Sequence, residues 1–320
     1  MIFLSSCCFF SSTSWSNETV DISASEAKTA VNNIIKALEN HYIDLEKAKP
    51  AIRKLKSYMN TGRFNYGIDF YDFKKLIETS LYNASFDSGF ELTHDFIGSA
   101  ADDHAGAYNR SSMQMRGKNI GFLQLSGIHE LVDYDDFIDR AFVMYNEVDA
   151  LVIDIQHVDE SSVELTQKLL GFFMDANTPF ATVKLANQTV ELKPTETQLA
   201  EGKGVKLLRR DLPIYIVQSA FVAGSWELFS AVMQRQRNAS IVGQLSMGVG
   251  YIDNKRKVSD TLFFSMTEAM FTPTMMSSPT SAESSPSFDI WDGHGVVPDF
   301  PTDNKKRLDK AFELASRHLR

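Results

Sequence analysis

Ala150-Leu-Val-Ile-Asp-Ile155 carries apolar side chains on both its odd and its even positions. A strand that hides both faces belongs inside a parallel sheet with helices above and below. Pro213–Val217 (PIYIV) has the same texture, and Asn119–Leu125 (NIGFLQL) and Ala239–Val242 read as further strands of that sheet. Between them, Tyr134–Asn146, Val163–Phe173 and Trp226–Gln236 show helical spacing of apolar residues, and Leu308–His318 closes the chain the same way. Strands alternating with helices predict an α/β core over residues 119–320. Thr261–Met266 adds a strand expected to run antiparallel.

Ahead of this core the texture is helical. Residues 26–43 repeat Ala27, Ala30, Val31, Ile34, Ile35 and Leu38 at helical spacing, with Ser23 or Ser25 as N-cap. Leu45–Met59 gives a second helix, interrupted near its start by Pro50, and Ile68–Tyr82 a third. Residues 23–96 are therefore read as a small helical N-terminal domain, and 97–118 as a connecting loop. Asp102, Asp103 and His104 in that loop are adjacent, and adjacent side chains do not converge on one ion without a special turn. They are read as solvated, and neither a metal nor a cofactor is expected. Thr272–Ser287, rich in Ser, Pro and Thr, is read as a surface loop.

The chain has 320 residues, 43% of them hydrophobic, and a net charge of −9. No basic face points to nucleic acid, and no apolar run is long enough to span a bilayer. Residues 1–22 read as a leader: MIFLSSCCFF opens the chain, and Leu4-Ser5-Ser6-Cys7 resembles a bacterial lipobox. The expectation is an exported protein, periplasmic or extracellular, with lipid on Cys7 as a membrane anchor. Cys7 and Cys8 are the two cysteines, so the folded body is expected to hold no disulfide.

Four segments carry a family resemblance. Ile120–Leu125, Asp149–Ile155 with its following helix, Ile214–Gln244 with Ile241-Val242-Gly243-Gln244, and Trp291–Asp299 (WDGHGVVPD) resemble, in order, the core of the tail-specific, or C-terminal-processing, serine peptidases. The last is the most specific, since it fixes Trp, two Gly, Pro and Asp at set spacing. The helical lead is similar to the branch containing interphotoreceptor retinoid-binding protein. The resemblance implies a ClpP/crotonase-like fold, a mostly parallel sheet with helices.

That family's nucleophile is a serine three residues before a glutamate, at a strand-to-helix turn where backbone N–H groups stabilise an oxyanion. Here the glutamate matches Glu227, and Gly224 stands in the nucleophile's place. Ser225 is one residue away and is read as the cap of a helix starting at Trp226; Ser219 ends the preceding strand. The lysine of the bacterial branch matches Val249, with Lys255 and Arg256 beyond it. The histidine turn of another branch matches Asp87–Glu91, with Glu91 in the histidine's place and His94 further on. The glycine-rich oxyanion loop matches His157-Val158-Asp159-Glu160-Ser161, without glycine.

The resemblance therefore implies a peptidase scaffold with a degenerate site. The expected function is non-catalytic binding of an apolar small molecule or an extended peptide in the former cleft, with Met266, Met270, Met275 and Met276 as candidate contacts. The alternative is an active serine endopeptidase using Ser225, with His157 as base, Asp159 orienting it and Gly224 in the oxyanion site. His294 is read as a turn residue, and a third reading uses the lead helices as a partner interface.

Overall fold

The computed structural model describes residues 20–95, 111–117, 119–129, 131–196, 207–274 and 293–319. The leader with Cys7, the ADDHAG segment, Met275, Met276 and Trp291 lie outside them.

A short ribbon, β1 (Asp21–Ile22) with β2 (Ile68–Asp69), brackets helices α1 (Ala24–Asn40) and α2 (Leu45–Asn60), and α3 (Phe70–Ser85) follows. Each helix starts on a capping side chain: Ser23 accepts from Glu26 N (3.1 Å), Asp44 from Lys47 N (3.2 Å) and Asp69 from Tyr71 N (2.9 Å). Pro50 does not interrupt α2, contrary to expectation. It sits on the exposed face, where water can serve the Glu46 carbonyl that a proline cannot reach. The lead helices do not close a core of their own. Their apolar stripes pack with Phe90, with Leu92 of β3 (Glu91–His94), and with Val258, Leu262, Phe264 and Met266 from the far end of the chain. Met266 is thus fully buried core, which removes it from the candidate ligand contacts.

The main sheet has six strands: β4 (Ser112–Arg116), β5 (Ile120–His129), β6 (Ala150–Ser161), β9 (Ile214–Gln218), β10 (Ser240–Gly243) and β13 (Phe300–Pro301), in spatial order β13-β10-β9-β6-β5-β4. Neighbours are parallel except for the antiparallel edge pair β4–β5. β4 falls inside the segment expected to be a connecting loop. Met113 and Met115 alternate with polar residues there, a strand period too short and too exposed to stand out. The period of two sorts β6 cleanly. Leu151, Ile153 and Ile155 face a large core built with α4 (Leu131–Met144), α5 (Val163–Leu170) and α6 (Ser225–Arg237). Ala150 and Val152 face the opposite core, built with α7 (Arg307–Ser316).

A second, antiparallel sheet has the order β11-β12-β7-β8, from β7 (Ala181–Leu185), β8 (Thr189–Leu192), β11 (Tyr251–Lys257) and β12 (Leu262–Pro273), with β3 also paired to β12. β12 is the joint of the molecule. Phe264 and Met266 enter the lead core, while Ala269 and Phe271 enter the main core. The expected antiparallel strand at 261–266 is the first half of β12.

Candidate functional site

Strand β9 leads into α6 through a turn at residues 219–224, at the carboxyl ends of the parallel strands, where α/β sheets place their sites. Gly224 closes the turn as N-cap of α6, with φ +57° and ψ −126°, a conformation that glycine adopts freely and other residues only under strain. A Cβ built there would touch nothing nearer than the Tyr251 carbonyl oxygen at 4.0 Å. The nucleophile position is therefore open space.

Ser225 does not cap α6; it is the helix's first residue and 4% exposed. The Gly224 conformation starts the helix one residue earlier than expected. The Ser225 hydroxyl has no hydrogen-bond partner among the described residues, and its carbonyl accepts from Thr166 Oγ1 of α5 (3.2 Å). Ser219 is committed elsewhere: its Oγ donates to the Gln156 carbonyl (3.0 Å) and accepts from Phe221 N (3.2 Å).

The position matching the bacterial lysine does reach the turn. Gly224 N donates to the Val249 carbonyl (3.1 Å), and Met247 N donates to the Val222 carbonyl (3.0 Å). The two positions that the resemblance matches to a nucleophile and a base are thus hydrogen-bonded through their backbones, and glycine and valine offer neither a hydroxyl nor an amine there. Lys255 and Arg256 are used elsewhere. Lys255 lies over the Phe263 ring at 5.1 Å, and Arg256 pairs with Glu268.

Glu227 is what holds this arrangement. Its buried carboxylate accepts from the Ser246 hydroxyl, from Gly248 N (2.7 Å) and from Val249 N (2.7 Å). Burial raises its pKa above the ordinary carboxylate value, and these donors pull in the opposite direction. Ser246 Oγ in turn accepts from Val296 N (2.7 Å), and Gly293 N donates to the Gly248 carbonyl (2.8 Å). The described part of the WDGHGVVPD segment thus packs against the loop at 244–249. Its glycine is required: a Cβ on Gly295 (φ +76°) would lie 2.4 Å from the Ser246 carbonyl oxygen. Asp299 locks the same segment to β10 and α6, accepting from Ile241 N (2.8 Å) and Gln234 Nε2 (3.0 Å).

On the other side, the expected loop at 157–161 is strand. β6 continues to Ser161 and pairs with β5 at Ser126–His157, Gly127–Val158 and His129–Ser161. Backbone that a glycine-rich loop would present to an oxyanion is engaged in a sheet ladder. His157 is exposed and shares no hydrogen bond with Ser219 or Ser225 among the described residues. Asp159 lies on the same strand, and its side chain is outside the description. His294 is an exposed turn residue. The Asp87–Glu91 turn is structural: Asp87 accepts from Tyr42 OH (2.8 Å) and from Gly89 N (2.8 Å), and His94 packs edge-on against the Phe70 ring (5.5 Å).

Two features were not anticipated. The first is an apolar rim on the three interlocked segments: Phe221 is 81% exposed, Val297 64%, Met247 56% and Leu245 48%. The second is Asp154, buried in the middle of β6 opposite Val217 of β9, with Gln156 and Gln124 as hydrogen-bond donors. Burial raises its pKa, while the Gln156 and Gln124 donors and the charge of His157 pull in the opposite direction. Among the described residues no helix is long and apolar enough to cross a membrane.

The family model for Peptidase family S41 matches residues 119–301, the stretch containing the whole of this site. Two solved structures share the fold. A lipoprotein from Streptococcus agalactiae superimposes with TM-score 0.62 at 10% identity, covering 92% of this chain and 97% of its own. A photosystem II D1 C-terminal processing protease superimposes with TM-score 0.60 at 11% identity, covering 87% of this chain and 93% of its own.

Proposed function

This chain belongs to Peptidase family S41, and from that premise we propose that it holds an extended, apolar peptide segment against the Gly224 turn without cutting it. The observation that carries the reading is the combination at one place of an emptied reactive position and an exposed apolar rim. A serine peptidase needs a nucleophile, a base and a preorganised oxyanion site. At the matching positions this chain has Gly224, Val249 and a strand. Ser225 as a substitute nucleophile is buried in the first turn of α6, with no base bonded to it among the described residues.

The rim supports binding. Phe221, Leu245, Met247 and Val297 stand on backbone held rigid by Glu227, Ser246 and Gly224, so their exposure is built in. Contiguous exposed apolar side chains mark interaction surfaces. Full burial of each is worth about 1.5–3 kcal/mol before the cost of association, which suits a complex on the order of micromolar affinity. An apolar small molecule in the former cleft is the second ligand class, and it needs an enclosed cavity where this surface offers a rim. Export and lipid attachment at Cys7 belong to the same reading, since they would bring the site to unfolded exported chains; labelled palmitate incorporation that persists in Cys7→Ser would contradict the attachment.

The test is fluorescence anisotropy with labelled, uncharged ten-residue peptides rich in Leu and Phe, read with mass spectrometry of the peptide after incubation. Saturable binding of intact peptide that is lost in Phe221→Ser/Met247→Ser supports the reading. Cleaved peptide, or binding indifferent to that double substitution, rejects it.

A further inference from the structure

Away from the turn, α2 and α3 enclose an open groove of about 750 Å³. Its walls are two helical stripes: Pro50, Lys54 and Tyr58 at four-residue steps on α2, and Lys75, Leu76, Thr79, Ser80 and Asn83 on α3. Tyr58, Ile68, Leu76 and Ala84 give it an apolar floor. Lys54, Arg63 and Lys75 rim it, with Asp72 the one carboxylate in the lining. Lys54 and Arg63 both lie over the Tyr58 ring, at 5.0 and 5.2 Å.

Most lysines next to the groove are already paired. Lys47, Lys49, Lys56 and Lys74 of the same helices each meet a carboxylate, Asp44, Glu46, Glu39 and Glu78, while Arg53 of α2, outside the groove, forms no ion pair among the described residues. Lys54, Arg63 and Lys75 form no ion pair among the described residues. In a chain of net charge −9, three unpaired cations around an aromatic, apolar floor are a local reversal of sign. From Asp72 to Ala84 the α3 wall runs about 18 Å at 1.5 Å per residue, the length of a three-turn helix.

We propose that this groove docks an acidic amphipathic helix of a partner protein, its apolar stripe on Tyr58, Ile68 and Leu76 and its carboxylates against Lys54, Arg63 and Lys75. Helix-in-groove recognition needs an apolar floor between two walls, and the rim charges choose the partner's sign and its approach. Tyr and Arg are also the residue types enriched where interfaces concentrate their energy. The inference is independent of the peptide reading at the Gly224 turn.

The test uses the full chain as bait for a displayed library of twelve-residue peptides, alongside Lys54→Glu/Arg63→Glu/Lys75→Glu. All three side chains are exposed, so the variant is expected to keep the wild-type thermal melt, checked by circular dichroism; Lys54→Gln/Lys75→Gln is the milder second variant. The expected result is enrichment of peptides with Asp or Glu flanking an i, i+3, i+4 apolar pattern. Their affinity is expected to fall at least tenfold in the triple variant, to weaken with added salt, and to be unchanged in Phe221→Ser/Met247→Ser. Enriched peptides without acidic residues, or equal binding by wild type and both rim variants, would overturn the proposal. So would groove-dependent binding to phosphatidylserine vesicles with no acidic peptide enriched.

Discussion

The Gly224 turn and the α2–α3 groove, the two surfaces we propose as meeting places for another chain, are built on opposite principles. At the turn, an elaborate backbone survives: a strained-region glycine, a clamped loop and a close-packed terminal segment, with apolar or absent side chains at its rim. In the groove the backbone is ordinary helix, and the side chains carry the character, with three cations around a tyrosine. On the proposed reading, the contrast teaches that a fold retains binding geometry more readily than reactivity. Geometry is spread over many backbone hydrogen bonds, whereas reactivity resides in a few side-chain atoms.

The strongest way to break the comparison is to remove the clamp. Glu227→Ala leaves Gly248 N–H, Val249 N–H and the Ser246 hydroxyl without their acceptor. A loss on the order of 3 kcal/mol or more is expected in chemical denaturation. Peptide binding at the turn is expected to fail while the groove, which shares none of these bonds, keeps its ligand. Next in size, Phe221→Ser/Met247→Ser is expected to weaken turn binding about ten- to a hundredfold, roughly 1.4–2.8 kcal/mol, with an unchanged melting temperature, since both side chains are solvent-exposed. Gly224→Ala forces a Cβ into φ +57°, ψ −126°, and is expected to cost about 1–3 kcal/mol through backbone strain alone, because the space around it is open. A neutral Gly224→Ala would mean the turn is not held in that conformation.

The smallest effect concerns Asp154. Burial raises its folded pKa above the ordinary 3.8, so the native state binds the proton more tightly than the unfolded chain does. Its contribution to stability is fully present below that ordinary value and is lost as pH rises through the raised folded pKa. Asp154→Asn is therefore expected to be more stable than the wild type near neutral pH, with the advantage vanishing in acid. Denaturant melts at about pH 3.5 and pH 7 check the sign. A variant less stable than wild type at neutral pH would mean that the ionised carboxylate is wanted there.

The parallel strands could be read in the sequence because burial on both faces leaves little room for polar residues: β5, β6, β9 and β10 all fall where apolar runs predict them. In the second sheet only the first half of β12 was read in advance. β8 and β11 are largely solvent-exposed, and Asp253-Asn254-Lys255-Arg256-Lys257 resembles a loop until β12 pairs with it. β4 hid for the same reason. The nearness of two segments was legible. Gly224 and Val249, which the family resemblance matches to a nucleophile and a base, are two residues whose backbones hydrogen-bond at 3.1 Å. That Gly224 and not Ser225 stands at the N-cap of α6 was not legible, because it depends on a glycine dihedral that no composition reveals. Nor was the clamp. Glu227 is the lone carboxylate in the apolar helix of α6, a signal that marks a buried acceptor without naming its donors. The groove was foreshadowed only as a general expectation that the lead helices meet a partner.

The central claim is that the turn binds without reacting, and a fluorophosphonate probe tests it most directly. The folded wild-type chain is incubated beside Gly224→Ser/Val249→Lys, and adducts are located by peptide mapping. The account expects no adduct on wild-type Ser225, and an adduct at position 224 once a hydroxyl and an amine are restored to the open turn. Stoichiometric labelling of Ser225 in the wild type would contradict it and make this chain a working peptidase.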